Sequence, residues 1–555
     1  MSNRLGALPV RILLALVLIV FASGIACRPK SIAVQPATDT KAALPSVERV
    51  APEQVDAAIQ KAIAYLYAKQ GDGRWDPPQS GNDPHWGTDT AVATYALLFA
   101  GESRSSAELK PAIEWLKQSQ MEGTYALAFK AQIWSYLGAT DAAARKAIVR
   151  DASLLMNGMR RNGIYQGRWS ETINGNDYDN SASYLGLLGL SAVEQAGVEI
   201  PDSAFAAAEA HWRKEQRPGD GWAFLVTPKV RYEESVNMTS SGVASLSLTR
   251  RYLHAADGLF CRGNPSDSAI DRGIGWLDQH LPGDWRGRNV SPGDLFTVAQ
   301  AGAATGLRTF GGCDWYERGA RLLIDSQAAD GSWNESYRPV ANTALGILFL
   351  ARGRAPIMIS KLRYQTGDQA GRWNQRPGDV ANAVEYLSRQ AERPLNWSIV
   401  DFSTISGANA APILYIAGSG PLQFTPDEQA KLKAFIVRGG MVLGHADCSG
   451  PAFAKSFAAL GASLFPNLAF RNLPANHPIY TKQIFAARMM KNIPPLQGLA
   501  DGDRELMLLI PDGDPGKAWQ LNDRHAREGV FQLLANILIY ARNPLGRVRM
   551  QNIFG

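Results

Sequence analysis

The sequence predicts a multidomain protein. An all-α ring of six helical hairpins spans residues 52–355, and a three-layer α/β domain with a mostly parallel sheet spans 356–545. Three observations predict it. A short turn built from Gly, a polar residue and an aromatic ring recurs six times. Each copy stands between an amphipathic helical segment and a more apolar one. After Ala355-Pro356 the helix pairs stop, and β-rich segments alternate with helices.

Residues 1–27, "MSNRLGALPVRILLALVLIVFASGIAC", place two arginines before an apolar run from Ile12 to Phe21 and small residues after it. That is the layout of a secretory signal peptide. The run is short for a membrane span of about 20 residues, and an uncleaved signal anchor stays open. "GIAC" resembles a bacterial lipoprotein box, which implies Cys27 as the lipid anchor; Gly24 stands where that box usually has Leu. Residues 28–51 are Pro-, Ala- and Thr-rich and read as a flexible tether. The expectation is an exported protein, periplasmic or membrane-anchored in the cell envelope, with an envelope protein as a partner class. Net charge is +6 over 555 residues. Without Arg4 and Arg11 about +4 remains, too little for a nucleic-acid surface.

Within 52–355 the turns are "KQGDGRW", "QMEGTY", "RRNGIY", "QRPGDGW", "HLPGDW" and "QAADGSW", ending at Trp75, Tyr125, Tyr165, Trp222, Trp285 and Trp333. Gly lets the chain reverse after a helix, Asp or Asn holds local N–H groups, and the ring can wedge between hairpins. The charged segment before each turn predicts an outer helix and the apolar one after it an inner helix, which gives an (α/α)6 toroid.

Gln327–Trp333 is the one complete Q-x-x-D-G-S-W, and it resembles the repeat signature of the squalene-cyclase and prenyltransferase α/α-toroid superfamily over roughly residues 52–355. That resemblance implies fold more than activity. Cyclases of the protonating kind carry an acidic D-x-D-D run. Here "NDYDNSAS" keeps Asp177 and Asp179 as catalytic candidates, but Asn180 replaces the last acid. A pair of acids is what keeps one carboxyl protonated, so Asp179-Asn180-Ser181 reads first as a helix cap. The zinc set of the prenyltransferases is not found. Cys261 and Cys313 precede outer helices in adjacent repeats, and an exported location makes a disulfide between them the expectation. Sugar-acting α/α-barrels suggest a rim of Trp86, Tyr125, Trp169, Tyr178 and Tyr184, with Asp89, Asp177, Glu233, Glu234 and Asp294 as carboxylates; helix capping accounts for most of these acids.

In the second domain "ISKLRYQ", "WSIVDF", "PILYIAG", "MVLGHAD" and "ELMLLIPD" read as strands, with helices between them and "REGVFQLLANILIYAR" closing. Thr425 and Glu428 form a capping box. Residues 546–555 are a tail. "LYIAGSGPLQFTPDEQAKLKAFIVRGGMVLGHADCSGPAF" and "LPANHPIY" resemble the domain of unknown function 4159, whose outline is similar to flavodoxin-type, class I amidotransferase-like folds and carries no established activity. Cys448 follows a strand and precedes a helix, where such folds place a nucleophile, and His445 or His477 would be the base. The elbow pattern G-x-C-x-G is absent, since Ala446 stands at its first glycine. Gly418, Gly420 and Gly450 end strands where an open α/β sheet binds small polar ligands.

Three readings compete: a non-catalytic toroid serving as a binding or interaction scaffold, with an α/β domain that takes a small polar ligand or partner; a toroid enzyme acting on an isoprenoid or polysaccharide; and a hydrolytic, amidotransferase-like domain using Cys448. The residues favour the first. No cofactor and no metal site are expected.

Overall fold

The computed structural model describes residues 49–542 apart from 79–82, 140, 226–231, 286–289, 334–337, 367–368, 406–410, 487, 489 and 503. The expected signal peptide, the expected lipid anchor Cys27, the expected tether as far as residue 48 and the C-terminal tail lie outside the described residues. Among the described residues no helix is long and apolar enough to cross a membrane.

Twelve helices alternate along the first part of the chain. They are α1 (Pro52–Lys69) and α2 (Thr88–Phe99), α3 (Leu109–Gln118) and α4 (Thr124–Leu137), α5 (Ala142–Gly158) and α6 (Asn180–Gln195), then α7 (Asp202–Glu215) and α8 (Val236–Leu253), α9 (Ser268–Asp284) and α10 (Pro292–Thr305), α11 (Trp315–Ser326) and α12 (Pro339–Arg354). The even-numbered helices pack on one another in order, and α12 returns to α2, so the inner circle closes. Their composition explains why they are inside. In α2, eleven of twelve residues are buried, whereas α3 buries only Leu109, Ala112, Ile113 and Leu116, one stripe of a helix.

In four of the six hairpins a tryptophan at or near the recurring turn fastens the pair in three ways, and in the third hairpin that ring is Trp169, four residues beyond the expected Tyr165. The indole N–H groups of Trp75, Trp169, Trp222 and Trp333 donate to carbonyls of Leu66, Leu155, Trp212 and Leu323 on the preceding outer helix. Their backbone N–H groups donate to hydroxyls on the first turns of the inner helices: Thr90, Ser183, Thr239 and Thr343. Three residues beyond the last three hydroxyls stand Gly186, Gly242 and Gly346, where a Cβ would overlap the indole. The glutamines tie neighbours together. Gln327 donates to Gly331 in its own turn and to Ala58 of α1, so the last turn is stapled to the first helix. Gln216 does the same between Asp220 and Ala269 of α9.

The second part holds a seven-stranded sheet of β1 (Ile357–Leu362), β2 (Asn396–Val400), β3 (Ile413–Gly418), β4 (Met441–Ala446), β5 (Arg471–Asn472), β6 (Gln497–Ala500) and β7 (Glu505–Ile510). Its order is β5-β6-β7-β4-β3-β1-β2. The five strands from β7 to β2 are parallel, and β5 and β6 are antiparallel additions that the sequence pattern did not suggest. Helices α13 (Asp379–Gln390), α17 (Pro515–Leu521) and α18 (Glu528–Arg542) cover one face; α14 (Pro426–Val437) and α15 (Pro451–Leu464) cover the other. Strand β3 shows why: Ile413, Tyr415 and Ala417 point to the first core, Leu414 and Ile416 to the second. A four-residue helix, α16 (Pro478–Thr481), occupies part of "LPANHPIY".

Residues 46–555 cluster as one compact unit, and the two parts meet end-on. Tyr136 near the end of α4 donates to the Glu392 carbonyl. Arg389 donates to the Gln195 carbonyl at the end of α6, and Arg251 near the end of α8 pairs with Glu385. Ile399 donates to Gly306 after α10, and Asn396 to Arg352 and Ala355 after α12. The carboxyl ends of five inner helices thus lie at the seam with α13 and β2, and α6, α10 and α12 have terminal carbonyls satisfied there. The opposite ends also gather on one side. Tyr125 bonds Ser181, Asn180 bonds the Ala223 and Phe224 carbonyls, Asn237 donates to Asp294, and Arg338 reaches the His85 carbonyl. Apart from Ala223 and Phe224, which lie in the loop leading to α8, these residues stand at or just before the first turns of inner helices, so those helices begin on a common face.

Candidate functional site

Two regions could hold a ligand: the middle of the helical circle and the carboxyl edge of the parallel sheet. The middle is filled. Phe129 of α4 and Phe296 of α10, three places apart around the six-membered circle, bring their rings to 6.0 Å. Nearer the carboxyl ends, Arg352 bonds Tyr95 and lies 4.6 Å from the Phe99 ring, with Tyr184 nearby. Burial pushes the Tyr184 hydroxyl well above its ordinary value.

The acids suggested for cyclase chemistry are separated by their surroundings. Asp177 is exposed. Asp179 caps α6 by accepting from the Ala182 N–H at 2.7 Å, and burial lifts its carboxyl to about 6 against that bond. Asn180 binds His211 and the Ala223 carbonyl. The expected rim is corrected in several places. Trp169 is fully buried as a wedge against Leu155 and Gly186. Trp86 packs edge-on against Trp115 of the outer helix α3 at 5.4 Å. Tyr178 stacks on Tyr165. Large aromatic rings with ordinary turn neighbours lower their free energy most by burial between hairpins; Trp169 and Tyr178 do so, whereas Trp86, just before α2, stays half-buried. The aromatic groups at the open face include Tyr125, one of the residues named for the rim, paired with His85, and Phe224 with Tyr232, the last two 40% and 44% exposed. Asp89 stands beside them at the start of α2, lifted to about 6 by burial although Arg338 opposes the shift.

The sheet edge carries a continuous buried polar chain. Lys361 at the end of β1 donates to Asp379, the first residue of α13, at 2.7 Å, and to the Arg376 carbonyl. Tyr415 on β3 lies 3.4 Å from Asp379 and 2.9 Å from Nδ1 of His445 on β4. His445 Nδ1 is 3.1 Å from Asp447, and its Nε2 is 3.4 Å from Asp514. Arg376 closes the chain with one nitrogen on Asp447 and the other on Asp514, each at 2.5 Å. Burial opposes charge on His445, yet the hydrogen bonds its ring nitrogens donate to Asp447 and Asp514 raise its pKa overall. Burial likewise opposes charge on Asp447, and His445 and Arg376 hold it below the usual carboxylate range.

His445, Asp447 and Asp514 place three donor atoms within 4.8 Å of one another, a set that could grip a divalent ion. The Arg376 guanidinium already lies on both carboxylates, and a second cation beside it would be repelled. The cation of this site is the arginine. Sequence reading found His445 but missed Arg376, Asp447 and Asp514. One signal was available: Gly516, where a Cβ would strike the His445 ring, lets α17 approach.

The remaining expectations are corrected by the geometry. Cys261 is disulfide-bonded to Cys448, 187 residues away, and not to Cys313, which is buried on a two-residue ladder with Phe310. The reason is tertiary: the loop after α8 lies over the sheet edge, where Cys448 is in reach. A half-cystine is no nucleophile, so the Cys448 candidate does not stand in this state. His445 is committed to Tyr415 and the two carboxylates. His477 caps α16 and lies 3.3 Å from Glu505, the first residue of β7, a strand length from Cys448 at the carboxyl edge. Gly418 makes room for Tyr364, and Gly450 for the Ser419 carbonyl, while Gly420 borders open space. The crevice expected there is occupied by the segment around Gln375 and Arg376, both fully buried.

Residues 358–541 match the family model described as Domain of unknown function (DUF4159). Among curated proteins, none matches. Solved structures of the type II terpene cyclase MstE from Scytonema align at 14% identity over 54% of this chain and 96–97% of theirs. Two were solved with geranylgeranyl dihydroxybenzoate and one without ligand. Their TM-score of 0.25 is too low to argue from.

Proposed function

We propose that the protein is an exported binding scaffold: an (α/α)6 toroid of the cyclase-like kind, presenting a polar, hydroxyl-rich ligand such as an oligosaccharide at its open face, and braced by the α/β domain. The observation that supports this reading is the asymmetry of the two ends of the inner helices. The carboxyl ends meet α13 and β2, and the interior between holds Phe129, Phe296 and Arg352. The beginnings expose Phe224 and Tyr232 beside His85, Tyr125, Asp89 and Asp294. Aromatic faces take the C–H side of a sugar ring, and carboxylates accept from its hydroxyls. The signal-peptide-like layout of residues 1–27 is what a cell-envelope setting for such a ligand would require.

The test is calorimetric titration of the protein with soluble oligosaccharides, neutral and N-acetylated, against the Phe224→Ala/Tyr232→Ala double variant. Binding to the wild type that weakens at least tenfold in the variant is expected. Equal binding by both proteins, or none across the panel, would sink the reading.

A further inference from the structure

The Cys261–Cys448 bond crosses between the two parts of the molecule, and its surroundings are unusual for a passive staple. The loop after α8 lies across the sheet edge. The Ala255 carbonyl accepts from Gln520, the Gly258 backbone packs on the Gln375 carbonyl, and Asn264 exchanges hydrogen bonds with Gly371 and Asn374. Three residues at the bond have left-handed backbone although none is glycine: Cys261 (φ 49°), Cys448 (φ 53°) and Ser449 (φ 54°). Asp514, which accepts from the Cys448 N–H at 3.1 Å, makes a fourth at φ 39°. Such conformations persist only where surrounding contacts enforce them. Cys448 is exposed to solvent. Beneath it, one Arg376 nitrogen lies 3.7 Å from the Cys261 sulfur and 3.6 Å from the Cys448 sulfur.

We propose that Cys261–Cys448 is an exchange-active disulfide, a latch that an external dithiol opens to free the helical ring's loop from the sheet edge. The thiolate of the dithiol attacks the sulfur of Cys448, the more exposed residue of the pair. The sulfur–sulfur bond breaks, and its electron pair leaves on Cys261 as a thiolate beside the Arg376 guanidinium. The second thiol of the reagent gives up its proton and attacks its own sulfur in the mixed disulfide. That step releases the reagent as a cyclic disulfide and leaves Cys448 as a second thiolate, which takes up the proton. The dithiol loses two electrons and the protein disulfide gains two. A neighbouring guanidinium favours the thiolate as leaving group and lowers the pKa of either cysteine once reduced. With the bond open, the strained turn at 448–449 can relax, and segments 255–264 and 372–378 lose their tie.

The experiment treats the folded protein, without denaturant, with graded dithiothreitol. It then alkylates and reads each cysteine by mass spectrometry, with hydrogen exchange measured on the same samples. Expected are labelling of Cys261 and Cys448 ahead of the buried Cys313, and exchange at least tenfold faster in 255–264 and 372–378. A Cys261→Ser variant, which leaves Cys448 as a thiol, should alkylate with a midpoint clearly below the ordinary value of about 8.5. Reduction that occurs only together with global unfolding, or reduction that leaves exchange in both segments unchanged, would overturn the latch. An ordinary midpoint in the variant would overturn the role of Arg376 as thiolate partner.

Discussion

The middle of the helical circle and the carboxyl edge of the sheet are both places where such architectures have room for a ligand, and each is filled differently. The circle is closed by Phe129 and Phe296, whose contact is apolar and indifferent to charge. The edge is closed by Arg376, Asp447, Asp514 and His445. Burying an aromatic ring is worth roughly 1.5–3 kcal/mol and does not depend on pH. Burying ions costs several kcal/mol each and is offset only while every partner keeps its charge and position. The difference teaches that one closure is permanent and the other conditional.

The largest expected effect tests the conditional side. Arg376→Met strands Asp447 and Asp514 without their cation, and chemical denaturation should show a loss of about 3–5 kcal/mol at neutral pH. The loss should shrink in acid, as the carboxylates protonate. An unchanged midpoint would mean that the edge is not held by charge.

Phe129→Ala should cost about 3 kcal/mol, through lost burial and the cavity left behind. The same loss is expected at pH 5 and pH 8. A strong pH dependence would erase the contrast between the two regions.

The pH profiles sharpen it further. Burial works against charge on Glu385 at the seam, yet Arg251, Arg524 and Arg389 hold its carboxyl down at about 2, from an ordinary 4.5. Its folded pKa is depressed, so its contribution is full above about pH 4.5 and is lost as pH falls toward 2. Melting curves from pH 6 to 3 should fall more steeply for the wild type than for Glu385→Gln. His445 runs the other way. Its folded pKa is raised, so its contribution is full below about pH 6.5 and is lost as pH rises through the folded value. His445→Gln should flatten the alkaline side of the profile. Equal slopes in wild type and variants would remove both groups from the account.

The smallest effect is a control away from both closures. Thr425 caps α14 in a reciprocal box with Glu428, and Thr425→Ala should cost about 1 kcal/mol. Neither pH slope should move.

Much of the helical part was legible because its determinants are local. Gly331 adopts φ 92° in a turn that Asp330 and Ser332 close with their own side chains, and Trp333 reaches back ten residues to Leu323. The same locality made Thr425 and Glu428 readable as a cap. Other partnerships gave no such signal. Gln327 pairs with Ala58 across 269 residues, and Cys261 with Cys448 across 187. Trp169 looked like a rim residue because composition cannot tell a wedge from a platform. Arg376 lay in a segment with no motif, and its two carboxylates stand 71 and 138 residues further on.

By itself the sequence determined the hairpins, their turns, the inner and outer faces and the strand–helix alternation, since helix periodicity, glycine conformation and burial preference act over a few neighbouring residues. Only the tertiary structure decided which cysteines join, which aromatic rings stay exposed and which charges are buried together. The disulfide depends on the loop after α8 reaching the sheet edge, and the charge cluster on how α17 and the segment around Arg376 meet β4. Desolvation and pairing of charge are properties of a place in space, and no stretch of chain carries them alone.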